Sequence, residues 1–234
     1  LQVGTFTRWV REFEAEAERR RCAGDPDWGR GAWLDPAVVA SVQRFQVGES
    51  GDGRNLIGKA EAAGDRDYAA AVRMFVAEEQ NHARMLGALL AAANAPTIAG
   101  HWSDSMFVWL RRALGLRLEL MVLLIAEVIA LRYYRALRDG TGDRLTTEVA
   151  GRILADEQRH VPFHCRRLRS AFARTPRPVR WVVTVGWRVL LLGTAITVAW
   201  DHRAALRRFG VGRWEFVVDV VRLFKAAVAD IAPA

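Results

Sequence analysis

Two short stretches of this 234-residue chain repeat one chemical pattern. Ala77-Glu78-Glu79-Gln80-Asn81-His82 and Ala155-Asp156-Glu157-Gln158-Arg159-His160 both read Ala-acid-Glu-Gln-x-His. Each contains Glu-x-x-His, and residues three apart on an α-helix share a face. A carboxylate and an imidazole therefore point the same way, about one turn apart, as two ligands converging on a metal must. These donor types suit iron or manganese without choosing between them. A single Glu-x-x-His is more often a solvated helix face. Two matched copies call for a common cause.

The elements that would position them are also written in the spacing. A glutamate stands thirty residues before each motif glutamate: Glu49 before Glu79, and Glu127 before Glu157. Helix breakers lie near both midpoints, Gly64-Asp65-Arg66-Asp67 and Asp139-Gly140-Thr141-Gly142-Asp143. Helical arms of about fourteen residues on each side of a turn rise roughly 21 Å and return, which puts the paired glutamates at one height. Two such hairpins bring Glu49, Glu79, His82, Glu127, Glu157 and His160 to one level of a four-helix bundle. Glu127 lies in the run Leu120–Leu131, apolar on every side and so buried. An ionised carboxylate there is costly unless paired or bound to a cation, and four together repel one another. Two divalent cations would cancel four negative charges; the alternative is a buried polar network without metal. Glu49 sits in Gly48-Glu49-Ser50-Gly51-Asp52-Gly53, where each interior glycine weakens a helix by about 1 kcal/mol relative to alanine. Either a distorted helix keeps Glu49 in place, or the helix breaks and leaves it on a loop.

A Glu from each of two helices plus Glu-x-x-His from each of the other two is the pattern of dimetal carboxylate bundles. On these residues, over 36–170, the chain resembles the ferritin-like superfamily of di-iron carboxylate proteins. The resemblance implies an all-α, ferritin-like four-helix bundle with an N-terminal helix and additional C-terminal helices. It implies two iron ions, with manganese or a mixed Mn/Fe pair as alternatives, bridged by Glu79 and Glu157, with Glu49 and Glu127 more terminal. It also implies chemistry with O2 or peroxide. The two cysteines, Cys22 and Cys165, cannot supply the four-cysteine module of rubrerythrins. A bacterial branch near the demethoxyubiquinone hydroxylases in size and ligand set is the expected place. The favoured activity is oxidation or hydroxylation of a small, lipophilic molecule by O2 with an external electron donor. Its rivals are iron handling, as ferroxidase, peroxide detoxification or storage, and a membrane-associated interaction protein with a structural metal site.

Other groups have weaker claims. Tyr134 follows Glu127 by two helical turns and could approach the metals or simply pack. Glu78 and Asp156 could orient the imidazoles, as ligating histidines usually require, or be solvated charge. His164 is a reserve ligand if Pro162 does not turn it away, and Cys165 reads as a buried thiol.

The rest of the chain divides around the bundle. Residues 1–35 read as a helix from Thr5 to Arg21, with Phe6, Trp9, Val10 and Phe13 along one side, and a loop; no chemistry attaches to them. Residues 36–175 are the bundle. A loop over 94–103 and a helix over 104–114 suit a crossing of its length better than one helix over 104–138. In the tail, 176–234, Trp181–Trp200 carries Arg188 as its only charge and is long enough to cross a bilayer. A central arginine costs about 2.5–3.5 kcal/mol there, so a span, an in-plane membrane helix and a helix packed in the fold all stay open. Trp214–Ala229 is amphipathic, with Phe216, Val217, Val220, Val221 and Phe224 apolar. A net charge of +8 raises nucleic acid or an anionic membrane as partners. Only Lys59 and Lys225 are lysines, the bias of a GC-rich genome, and no nucleic-acid motif accompanies the arginines. No nucleic acid is expected, whereas the basic residues around 181–200 suit a membrane surface. Without a leader pattern the expected location is cytoplasmic, peripheral on the inner face of the membrane, and a homodimer is compatible.

Overall fold

In the computed structural model, residues 6–101, 115–229 and 231 are described, and every regular element among them is helical. In chain order these are α1 (Thr7–Ala23), a 3-10 turn (Trp28–Arg30), α2 (Pro36–Glu49), α3 (Arg54–Ala62) and α4 (Arg66–Ala92). Then come α5 (Leu116–Gly140), α6 (Arg144–Ala173), α7 (Arg177–Asp201), α8 (Arg203–Arg208) and α9 (Arg213–Ala229).

The two turns that set the hairpins are built alike. Gly64 and Gly142 take the left-handed conformation at φ 78° and 68°. Asp65 then accepts from the Tyr68 amide at 2.9 Å and Asp143 from the Thr146 amide at 2.8 Å, capping α4 and α6. Such a cap contributes about 1 kcal/mol, and the matched pair starts each motif helix at the same distance before its glutamate. The first hairpin departs from two continuous arms. Its ascending helix stops at Glu49, and Gly53, at φ 63°, turns the chain into α3. A Cβ on Gly53 would collide with Val76 of α4, so that turn requires glycine for both its angle and its contact. The helix is therefore broken, yet Glu49 remains its last residue and is buried.

Helix direction fixes the topology. Tyr68, at the start of α4, packs its ring 5.9 Å from Phe163 and under Arg167, late in α6. At the other end, Ala32 donates to the Ala92 carbonyl and the adjacent Trp33 amide to Asp143, just before α6. Helices α4 and α6 are thus antiparallel, and α5, which precedes α6 through a tight turn, runs parallel to α4. The end of α4 and the start of α5 lie at opposite ends of the bundle, as a crossing requires. Gly115 is extended (ψ 167°), which excludes one helix through 104–138. The helix expected over 104–114 lies outside the described residues.

Helix α5 is the centre of the core, with Leu124, Ile125, Val128, Tyr133, Tyr134 and Leu137 fully enclosed. Helix α1 and the residue before it seal one side by setting Phe6 and Phe13 edge-on against Phe163. Helix α9 buries Phe216, Val217, Val220 and Phe224, and an Asp219–Arg132 pair at 2.9 Å ties it to α5. Val221, grouped with those residues by its apolar character, is instead 38% exposed. Helix α7 packs through one stripe, Trp187, Leu191, Ala195 and Ala199, with the Trp187 indole donating to the Met121 carbonyl at 2.8 Å.

Candidate metal centre

All six residues expected at the centre converge. Glu49 comes from the end of α2, Glu79 and His82 from α4, Glu127 from α5, and Glu157 and His160 from α6. They form two overlapping sets: Glu49, Glu79, His82 and Glu157, and Glu79, Glu127, Glu157 and His160. Within each set one ligand atom per residue lies within 4.8 Å of the others. Glu79 and Glu157 belong to both, which is the placement that bridging carboxylates need.

The inward atoms face one another without hydrogen bonds. His82 Nδ1 is 3.5 Å from Glu79 and 3.4 Å from Glu157, and His160 Nδ1 is 3.2 Å from Glu79 and 3.4 Å from Glu127. Glu79 Oε1, His82 Nδ1, Glu127 Oε2, Glu157 Oε2 and His160 Nδ1 are all buried with no hydrogen-bond partner. An unsatisfied buried polar atom costs about 1–3 kcal/mol, more when charged, so five aimed at one space make a pronounced deficit. Two cations fit that donor set.

No protein-family profile matches the chain, and no curated protein matches it. Solved structures do. A variant of an R2-like ligand-binding oxidase with an aerobically reconstituted Mn/Fe cofactor superposes with TM-score 0.73 at 12% identity, covering 98% of this chain and 94% of that one. A second variant, also with aerobically reconstituted Mn/Fe, gives TM-score 0.74 at 12% identity over 99% of this chain and 94% of that one. The chain has the ferritin-like fold.

Electrostatics in this ferritin-like bundle follow from the crowding. Burial pushes the Glu49 carboxyl well above the usual range, and the charges of Glu79 and Glu157 push the same way. Burial and then Glu127 hold Glu157 up at about 8. Glu79 faces the same burial and Glu127, but the imidazoles of His160 and His82 beside it bring it down to about 2. Burial works against charge on both imidazoles, yet the surrounding carboxylates raise His82 and His160 well above the usual histidine range. Without cations the centre holds protons in their place.

The imidazoles are oriented by an exchange between the motifs. The His82 Nε2–H donates to Asp156 at 3.0 Å, and the His160 Nε2–H donates to Glu78 at 2.9 Å. An ionised carboxylate only accepts, so each ring keeps its proton outside and presents Nδ1 to the centre. Burial opposes charge on Asp156 and Glu78, but these hydrogen bonds win and lower both carboxyls. Both acids are then clamped by two arginines. Arg159 reaches Glu78 and Asp156 from α6, and Arg20 reaches the same two from α1, at 2.7 and 3.1 Å.

Arg20 is the residue that sequence reasoning missed. The variable position of the repeat is Arg159 in one copy and Asn81 in the other, and Asn81 pairs with Arg84 instead. The repeat is thus one cation short, and α1 supplies it. Arg20→Ala leaves two nearly inaccessible carboxylates with one guanidinium. We expect metal affinity to fall about tenfold, the lower end for lost outer partners of a metal-bound histidine, with Arg20→Lys in between. A metal titration of Arg20→Ala that overlays the unsubstituted protein would refute this role.

Tyr134 does reach the centre, where its hydroxyl donates to Glu49 Oε1 at 2.7 Å. Burial and then the Glu49 charge hold that phenol well above its ordinary value, so it stays protonated. Helix α6 continues through Pro162, and His164 is buried with Nε2 3.6 Å from Glu127, outside both ligand sets. Cys165 is buried beside the Ala227 carbonyl. His202 is buried at the junction of tail and bundle, 2.7 Å from the Ser41 hydroxyl, and burial lowers it to about 3.

Proposed function

We propose that this chain is a dimetal oxidoreductase that uses O2 and an external electron donor to oxidise or hydroxylate a lipophilic organic substrate. The observation that carries the reading is the pair of ligand sets sharing Glu79 and Glu157. In it Glu49 and His82 would complete the ligands of one ion, and Glu127 and His160 those of the other. Three carboxylates and one imidazole per ion suit iron and manganese, the metals carried by the solved neighbours. Bound together, two such ions supply electrons to dioxygen, and the external donor restores them. For hydroxylation the balance is R–H + O2 + 2 e− + 2 H+ giving R–OH + H2O.

The chain's own residues prepare that chemistry. Asp156 and Glu78 hold the imidazole tautomers, so the ring nitrogens facing the centre keep their lone pairs. Tyr134 keeps its proton and donates it in a hydrogen bond to Glu49, which fixes the orientation of that carboxyl. Glu79, with 22% of its side chain exposed, is the most open of the six and marks the approach for small molecules. A lipophilic substrate is favoured by the surroundings: α5 is apolar around Glu127, from Leu120 to Leu131, and α7, packed on α5, exposes apolar side chains.

Oxygen uptake separates this reading from its rivals. Metal-loaded protein given excess Fe2+ without reductant should stop consuming O2 once the centre is oxidised. Reductant should restore uptake, and a long-chain quinone or fatty acid should increase it. Sustained oxidation of added Fe2+ would instead establish iron handling. Background uptake, with lower thermal stability after metal removal, would establish a structural site.

A further inference from the structure

We infer that the outer face of α7 docks the protein on an anionic lipid bilayer, with the helix lying in the plane of the surface. Helix α7 is long and apolar enough to cross a membrane, yet only 22% of its most apolar window is buried. Its inward stripe is accounted for by Trp187, Leu191, Ala195 and Ala199. On the opposite side Val182, Val185, Val189 and Leu192 recur at spacings of three and four, exposed by 61, 38, 67 and 45%. That spacing keeps them on one side of a helix. Single exposed apolar residues need no explanation, but a continuous stripe marks an interaction surface.

The charge around the stripe selects the partner. Arg174, Arg177 and Arg180 cluster at its start and Arg188 lies midway, while residues 175–200 include no acid. None of these four arginines is ion-paired with another described residue. Indoles stand at both ends: Trp181 is 69% exposed at one, and at the other Trp200 packs 5.0 Å from Trp214, which is 61% exposed. Apolar stripe, cationic rim and terminal indoles are the three parts of a helix that lies at a lipid interface.

Two other occupants fit less well. A span would strip Trp187 from Met121 and Phe224 and draw Arg188 into hydrocarbon. A second copy facing this surface would set its arginines against like charges, with no carboxylate on α7 before Asp201 to relieve them. Anionic headgroups meet the same arginines favourably. The inference does not depend on metal chemistry.

Co-sedimentation of the full chain with vesicles tests it. Binding is expected to vesicles of equal parts phosphatidylglycerol and phosphatidylcholine, weakening at high salt, and much less to phosphatidylcholine alone. The double variant Val185→Glu/Val189→Glu, at exposed positions, should bind about tenfold or more weakly while melting at an unchanged temperature. Neutralising Arg177 and Arg180 should weaken binding and reduce its salt dependence. No binding, equal binding to neutral vesicles, or equal binding by the double variant would overturn the inference. So would a concentration-dependent dimer that the same double variant abolishes, if vesicles are not bound.

Discussion

Glu79→Ala and Glu157→Ala are each expected to take the chain from two bound metal ions to fewer than one, whereas Glu49→Ala and Glu127→Ala should each leave one. The contrast follows from membership of the two ligand sets. Glu79 and Glu157 are in both, so either truncation removes a donor from both ions, and Glu49 or Glu127 serves only one. Metal analysis after reconstitution reads the difference directly. Two ions retained by Glu157→Ala would remove the bridging arrangement and with it the proposed function. The isosteric Glu157→Gln adds an independent signature. Near neutral pH the metal-free fold must hold Glu157 protonated although the unfolded chain has released that proton. A neutral amide of the same volume removes that cost, so the metal-free protein should gain about 1 kcal/mol. For a chain of this size that is roughly 2–4 °C in melting temperature. The same variant should lose most of the stabilisation that metal gives the unsubstituted protein, about 2.7 kcal/mol at a metal concentration a hundred times its Kd. Higher stability when empty and lower stability when loaded together identify a residue kept for binding.

How much of this could be read from the sequence depended on whether the determining contacts were local. The six-residue cluster was legible because helix geometry turns spacing into position, and the matched Gly–Asp turns before α4 and α6 kept both registers equal. The break after Glu49 was half legible. The glycines showed that the helix was weak there, but that Gly53 must nestle against Val76 depends on a contact with another helix. Loop length allowed the crossing between hairpins, and only the antiparallel packing of α4 on α6 decided it. That same antiparallel relation makes Glu78 serve His160 and Asp156 serve His82, an exchange invisible to a reading in which each motif looks after its own histidine. Arg20 was the hardest of all, because 136 residues separate it from Asp156 and no periodicity links them. Its one trace in the sequence is the Asn81 that breaks the repeat.

The metal-free protein should be most stable at mildly acidic pH and lose stability as pH rises toward about 8, the reverse of what carboxylate pairing usually produces. Four groups set that direction. Glu157, at about 8 in the fold, and Glu49, also raised, bind protons that the unfolded chain has already released above its ordinary carboxyl pKa of about 4.3. His82 and His160 are raised too, so their contribution is complete below about pH 6.5 and fades as pH climbs through their folded values. Each proton held more tightly by the fold removes up to about 1.36 kcal/mol of stability per pH unit over its window. Glu79, at about 2, and the lowered Glu127 and Asp156 act at the other end: their contribution is present above about pH 4.5 and lost as pH falls. The optimum therefore lies near about pH 4.5, where the lowered carboxyls already contribute fully and the loss from Glu157 and Glu49 is only beginning. Cations reverse the trend because they take the place of the protons, so loading should release protons at pH 7 and tighten as pH rises. Urea unfolding of the metal-free protein across pH 5 to 9, with an indicator dye following proton release on metal addition in dilute buffer, measures both. Metal-free stability that rises between pH 6 and 8, or loading that releases no protons, would mean that the four carboxylates are already ionised without cations. The electrostatic reason for a metal pair at this level of the bundle would then be gone.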